Sequence, residues 1–505
     1  MTLWLLGTQL DRTAASLDEH DRVLLIEASG FADRRPYHPH KLTLVFAAMR
    51  QFRDDVRARG LTVDYRQADT FAAALDAHFD AHPGDHLTMP RPAAHGAESR
   101  LRALVDARGG TLSFVRNPTF LLTPAEFDEW AESRNTNDPD TYRMEGFYHW
   151  MRRETGVLMD GDEPAGGEWN YDEENRETPP EDWSPPEPPS FEPDATTREV
   201  ASWVDAAFET FVDSDQAAPF RWPVTRDQAL SALETFVDGR FAEFGPYQDA
   251  MVEGEWAMSH SLLSAAINLG LLTPMEVIDR AERAYEAGEV PINSVEGFVR
   301  QLLGWREFMR HVYRRSMPEM ADANQLDQTA ELPPAYWTGE TDMACLSEAV
   351  GHVREHGYAH HIERLMVLSN FAMVYGADPG KLNEWFHQGF VDAFHWVTTP
   401  NVVGMGSFGT DALSSKPYAA SGSYINRMSD YCSSCPYAVS RDTGEGACPF
   451  NSLYWTFLRE NEETLRGTGR MGLMYSHVDD KDAAEWDALE ERAATVRTLA
   501  RQGKL

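Results

Sequence analysis

Cysteine is nearly missing from this chain: 505 residues contain only Cys345, Cys432, Cys435 and Cys448. So few exclude a disulfide-stapled scaffold. Because three of the four crowd into YCSSCPYAVSRDTGEGACPF, a single four-thiolate site is expected. Lysine is scarce too. Only Lys41, Lys381, Lys416, Lys481 and Lys504 stand among 45 basic residues, against 81 acidic ones and a net charge of −36. Acid excess with little lysine reads as a surface adapted to high salt, a halophilic character, and global charge then says little about partners. A polyanion binds such a chain only where arginines gather on one face and salt screens the remainder. No apolar run suggests a membrane span and no secretory leader is evident, so a cytoplasmic protein with reduced thiols is expected. Also missing is a GxGxxG after the first strand; GTQL stands there instead, which argues against an ordinary dinucleotide fingerprint.

What is present divides into three stretches. In residues 1–117, short apolar runs (LWLLG, RVLLIEAS, LTVDYRQA, HLTMPR, LSFVRN) alternate with amphipathic segments such as KLTLVFAAMRQFRDDVRARG. That alternation predicts an α/β domain with a doubly wound parallel sheet. Residues 118–199 read as an irregular polar linker ending in PPEDWSPPEPPSFEP, where seven prolines in fifteen residues enforce an extended connection. Residues 200–505 carry helical periodicity, with starts at Thr273-Pro274 and Ser294 and breaks at Pro333-Pro334 and Pro379-Gly380, predicting an all-α domain.

Four thiolates at this spacing suit either zinc or an iron–sulfur cluster. One remote ligand, Cys345 on a predicted helix, and the Cys448-Pro449 pair favour a cluster between helices. Ser259, Ser261 and Ser264 precede an apolar helix and offer an anion cradle, although ordinary capping explains one such serine equally well. EGFVRQLLGWREFMR sets Glu296, Arg300, Gln301, Trp305 and Arg306 along one helix; by itself this reads as a buried helix with an ion pair. His352, His356 and His360 recur at i, i+4, the spacing of a metal face, with structural histidines the commoner outcome and His361 one step round. Asp392 can pair with Arg364 across packed helices.

Taken together, GPYQDAM, HSLLS, EGFVRQLLGWREF, AHHIERLM, EWF, FVDAFHWVTTPNVVGM, SSKPYAASGSYINRMSDYC-x-x-C, GACPFN and the linker motif GVLMDGDEPAGGEWNYDEENR resemble the iron–sulfur bacterial cryptochrome and photolyase family, the prokaryotic (6-4) photolyases, over essentially the whole chain. The resemblance implies an α/β antenna domain, a helical domain holding FAD, and a [4Fe–4S] cluster on Cys345, Cys432, Cys435 and Cys448. It also implies a 6,7-dimethyl-8-ribityllumazine antenna, UV-damaged DNA as partner and a monomer. It places Ser261, Leu262 and Ser264 at the FAD phosphates, Tyr247 on the flavin side, Arg364 and Asp392 as the clasp of the isoalloxazine ring, and Thr398 beside flavin N5. Trp305, Phe394, Asn401, Gln9 and Glu27 complete the implied cofactor-binding set.

In the same resemblance His361, with His360 as second candidate, is the histidine beside the lesion, expected to titrate near neutral pH. Trp385 is the first electron donor, and Trp337, Tyr418 and Tyr424 are further relays. Three departures stand out. Phe386 replaces a tyrosine, Thr8 replaces an aspartate that would hydrogen-bond the antenna, and Glu168 replaces a lysine common at that position. The implied activity is repair of (6-4) pyrimidine photoproducts by blue-light-driven electron transfer. A blue-light photoreceptor with the same cofactors, or an iron–sulfur or zinc nucleic-acid module without flavin, are the alternatives.

Overall fold

Each of the five apolar runs forms a strand, and the strands pair in parallel in the order β3 (Thr62–Ala68), β2 (Arg22–Ala28), β1 (Thr2–Leu5), β4 (His86–Pro90) and β5 (Thr111–Val115). The register sets Leu3 beside Val23, Val23 beside Val63, and Leu87 beside Leu112. The two-residue period decides what covers each face. Leu3, Leu5, Val23 and Leu25 point to the helix Pro39–Ala58 and the main core, whereas Trp4, Leu24 and Ile26 point to the helices Phe71–Ala81 and Ala97–Asp106. In β1, β2 and β4 both faces are buried, which is why those runs are the most apolar, whereas edge strands β3 and β5 are partly exposed. The computed structural model describes residues 1–134, 142–468 and 470–505; residues 135–141 of the expected irregular stretch lie outside the described residues.

That stretch is less irregular than the sequence suggested. It holds the helices Pro124–Ser133 and Met144–Thr155. The first starts with a reciprocal capping box between Thr123 and Glu126. Its Phe127, Trp130 and Ala131 share one face and are buried, with Phe127 5.6 Å and Trp130 5.0 Å from Phe147, which in turn lies 5.7 Å from Phe308. Polar composition hid a narrow apolar stripe. The proline-rich segment is extended, as expected, and lies on the helical region: Trp183 Nε1 donates to Glu243 at 3.2 Å and the Phe191 amide to Arg221 O at 3.2 Å.

Beyond Pro164 the described residues contain helices and isolated bridges but no strand ladder. Two helices are interrupted by the π-helical segments Arg300–Arg306 and Glu363–Ser369, and a third ends in one, Pro400–Gly406. Such widened turns arise where an extra residue is squeezed into the helix, and they concentrate at functional sites.

Candidate functional site

All three π segments face one cavity of about 1050 Å³, at the upper end of the ~300–1,000 Å³ typical of cofactor and ligand sites. The widened turns aim Trp305 and Arg306, Arg364 and Met366, and Asn401 and Met405 into it. Of the residues expected to hold a cofactor, Ser261, Leu262, Ser264, Trp305, Arg364, Asp392, Thr398 and Asn401 line the cavity.

At its centre Arg364 grips Asp392 bidentately, Nη1 to Oδ1 and Nη2 to Oδ2, both at 3.1 Å. Arg364 Nε also donates to Ala359 O at 2.6 Å, and its guanidinium lies 4.4 Å from the Phe390 ring centre. Burial alone would raise the Asp392 carboxyl, but the charge and hydrogen bonds of Arg364, the Ser264 hydroxyl and nearby Lys41 outweigh it and hold it below its ordinary value. The Ser264 hydroxyl donates to Asp392 at 2.6 Å, so it braces the ion pair.

Ser261 and Leu262 sit on a turn forced into an unusual path, with Met258 at φ 43° and Leu262 at φ 58°. Side-chain-bearing residues adopt that region at a cost of about 1–3 kcal/mol each, sustained only when the surroundings hold it. Here the holder is buried Arg240, whose guanidinium donates to Ala257 O at 3.2 Å, His260 O at 3.1 Å and also Met258 O. Nothing in the sequence around Arg240 announced this role. Ser259 is buried and does not reach the cavity.

The histidines separate. His361 is exposed on the cavity wall; the crowding of the surrounding protein, with Arg364 and His360, shifts its pKa downward. That shift favours a neutral imidazole at pH 7. His360 is fully buried behind it, stacked on cavity-lining His260 at 4.9 Å and 3.5 Å from Glu363. Glu363 accepts from Tyr431 OH at 2.9 Å and lies 3.0 Å from His352 Nδ1; the other His352 nitrogen is 3.4 Å from Glu348. Burial opposes a charged His352, yet Glu363 and Glu348 raise it to about 10. No metal face forms from His352, His356 and His360, because the helix ends at Gly357 in the left-handed region and His356 instead stacks on Trp256 at 4.1 Å.

Trp385 does not touch the cavity. It is buried behind Phe386 and Phe390, which do, at 5.3 and 5.8 Å between ring centres. Phe211 then bridges Trp385 (6.1 Å) to Trp337 (5.7 Å), which is 40% exposed, so a ladder of rings runs from cavity to solvent. Tyr418 and Tyr424 belong to the cavity wall and not to this ladder. Tyr247 and Phe394 lie outside the wall; Tyr247 packs on Trp183 at 5.1 Å, while Gln248 and Asp249 take the lining positions. Burial raises the Asp249 carboxyl to about 6.

Cys345, Cys432, Cys435 and Cys448 share a second, small cavity, and all are free thiols. Burial pushes Cys432 up to about 11 and Cys448 to about 12, reinforced by the neighbouring sulfurs. Gly422 is needed beside them, since a Cβ there would sit 2.8 Å from Cys448 Sγ.

In the α/β part, Gln9 closes on backbone, donating to Pro90 O at 2.7 Å and accepting from the Leu6 amide at 3.1 Å. Glu27 pairs with Arg50 at 2.8 Å and accepts from Gln67 at 2.9 Å. A residue not anticipated is Lys41, buried on the helix Pro39–Ala58, whose ammonium donates to His387 O at 2.8 Å and Ala393 O at 2.6 Å and so pins the two parts of the chain together.

Residues 3–218 match the family model for deoxyribodipyrimidine photo-lyase-related protein. A (6-4) photolyase of Agrobacterium fabrum is 39% identical over 483 residues, covering 94% of this chain and 94% of that protein. Among solved structures, a bacterial class III photolyase from Agrobacterium tumefaciens aligns over 99% of this chain and 98% of its own, at 16% identity and TM-score 0.58. A cryptochrome from Synechocystis sp. PCC6803 aligns over the same shares at 12% identity and TM-score 0.58. At those identities the two structures speak to fold alone.

Proposed function

Because this chain belongs to the (6-4) photolyase family, we infer that it is a DNA-repair lyase that reverses (6-4) pyrimidine photoproducts with blue light, by electron transfer from reduced FAD. The observation that carries the reading within this chain is where its few cations stand. On a protein of net charge −36, the exposed Arg176, Lys416 and Arg427 gather on the lining of the cavity that holds the Arg364–Asp392 pair. Such cations neutralise backbone phosphates, and the apolar wall around Trp305 and Met309 gives a base turned out of the duplex a place to stack.

FAD, when bound and reduced, supplies the light-excited electron donor. Arg364 and Asp392 would hold it, with the Leu262 turn alongside, and the guanidinium charge favours an electron-rich occupant. His361 offers one N–H and one lone pair in its neutral form, so it can give and take a proton at the lesion. The ring ladder from Trp385 through Phe211 to exposed Trp337 would refill the donor from outside.

The four cysteines would bind one [4Fe–4S] cluster in a structural role. Zinc holds sulfur at about 2.3 Å, which brings four sulfurs close together. Among the described residues the one trio of metal-capable donors within 4.8 Å of each other is not in this thiol set, a spacing that suits the larger cluster. Elemental analysis should give about four irons per chain; zinc instead would refute the assignment.

The central test is His361→Asn. The variant should keep FAD and lesion-DNA binding, and lose roughly 10²–10⁴-fold in repair rate, the range of a general acid–base contribution. Undiminished repair would remove His361 from the chemistry. Wild-type protein with fully reduced FAD and no repair of defined (6-4) lesions would instead favour a light sensor.

A further inference from the structure

We propose that Asp64, His78 and His82 form a site for a divalent transition-metal ion of the zinc type, in the α/β part of the chain and separate from the flavin cavity and the cysteines. Asp64 lies on edge strand β3; His78 and His82 are one turn apart at the end of the helix Phe71–Ala81. Their donor atoms all lie within 4.8 Å of one another. Zinc binds imidazole nitrogen and carboxylate oxygen at about 2.0–2.2 Å, so modest rotation of partly exposed His82 completes the set.

The arrangement of His78 is otherwise hard to satisfy. The ring is fully buried between two carboxylates, with Nδ1 2.7 Å from Asp64 Oδ2 and Nε2 3.5 Å from Asp85 Oδ2, and Nε2 has no hydrogen-bond partner. A neutral imidazole can donate from one nitrogen only, which leaves the other lone pair facing an anion. An ion shared by Nδ1 and Asp64 resolves this, because Nε2–H then turns to Asp85 as an outer carboxylate that orients the ligand. Arg66 holds Asp64 on both oxygens, Nε to Oδ1 at 2.5 Å and Nη2 to Oδ2 at 3.2 Å, so the ion would take the second lone pair of Oδ2, the one that faces His78 Nδ1. The helix C-terminus, where carbonyl dipoles converge, adds a negative field. Such an ion would clip β3, which pairs with β2 alone, to the helix behind it.

The test uses the full-length FAD-loaded protein, stripped with a chelator and dialysed against zinc. Wild type should retain one more zinc per chain than His82→Ala, with a nitrogen and oxygen shell by X-ray absorption and a rise in melting temperature that the variant lacks. Asp85→Asn should weaken zinc binding by about tenfold or more, the scale of outer-carboxylate effects. Repair should be unchanged in both variants. Equal zinc in wild type and His82→Ala, or a sulfur shell, would overturn the proposal and leave His78 as a structural histidine between two carboxylates.

Discussion

Asp392 ties Arg364 to the helix start at Ser264, because one carboxylate takes Arg364 on both oxygens and the Ser264 hydroxyl on one. Removing it strands a guanidinium whose side chain is only 25% exposed. Breaking a buried pair costs about 3–5 kcal/mol; contact with the open cavity and the remaining bond to Ala359 O place Asp392→Ala at the lower end. FAD retention should fall sharply, and a variant purified with full FAD and normal photoreduction would refute the assignment. Since its folded pKa is depressed, the pair's contribution is present above the ordinary carboxylate range and lost only as pH falls through the folded value, so FAD release should begin in acid and not near neutrality. His352 gives the opposite sign. Its pKa is raised to about 10, so its contribution is complete below the unfolded value near 6.5 and disappears as pH climbs toward 10. His352→Gln should lower the melting temperature at pH 6 and flatten its decline between pH 7 and 10; parallel curves would contradict the imidazolium. Of these two residues, Asp392 was legible in the sequence and His352 only as one of a run of histidines, because its meaning depends on Glu348 and Glu363 meeting it from one helix turn back and from the next helix.

Elements were legible in proportion to how local their causes are. The five strands followed from short apolar runs, and the extended part of the connecting stretch from proline density. The π segments at 300–306, 363–369 and 400–406 were not, since the sequence shows which residues lie three and four apart but not where an extra residue widens a turn. Those segments carry side chains that line the cavity, among them Trp305, Arg364 and Asn401. The ring ladder was half legible: Trp385 and Trp337 were anticipated, but Phe211, which links them, lies far away in sequence and enters only through folding. A ladder makes its end members separable from the chemistry it feeds. Trp385→Phe loses the Nε1 bond to Tyr336 O at 2.8 Å and some packing, yet preserves an aromatic ring at a fully buried site. It should fold and bind FAD, photoreduce oxidised FAD at least tenfold more slowly, and repair normally when FAD is reduced chemically beforehand. Normal photoreduction by the variant would move the first donor to Tyr418 or Tyr424 in the cavity wall.

Across the whole molecule, salt should act in two directions at once. A net charge of −36 destabilises the compact chain through self-repulsion, and raising KCl from 0.1 to 1 M shortens the screening length from about 10 to about 3 Å. The exposed ion pairs, such as Arg497–Glu460 and Arg466–Asp479, weaken at the same time, but each contributes only about 0–1 kcal/mol, whereas the repulsion involves every unpaired carboxylate on the surface. The buried pairs Arg50–Glu27 and Arg364–Asp392 are screened little. Melting temperature should therefore rise monotonically with KCl. Affinity for lesion DNA should fall over the same range if the cations at the cavity, Arg176, Lys416 and Arg427, are the ones that bind phosphate by releasing counterions. Three contacts predict a slope of log K against log salt of about −2.7. The slope should be shallower by about one unit in Arg427→Gln, with repair per bound lesion preserved. A melting temperature that falls with KCl would remove the high-salt reading of the composition. An unchanged slope in Arg427→Gln would mean that DNA meets a different face, and the cavity's cations would then need another explanation.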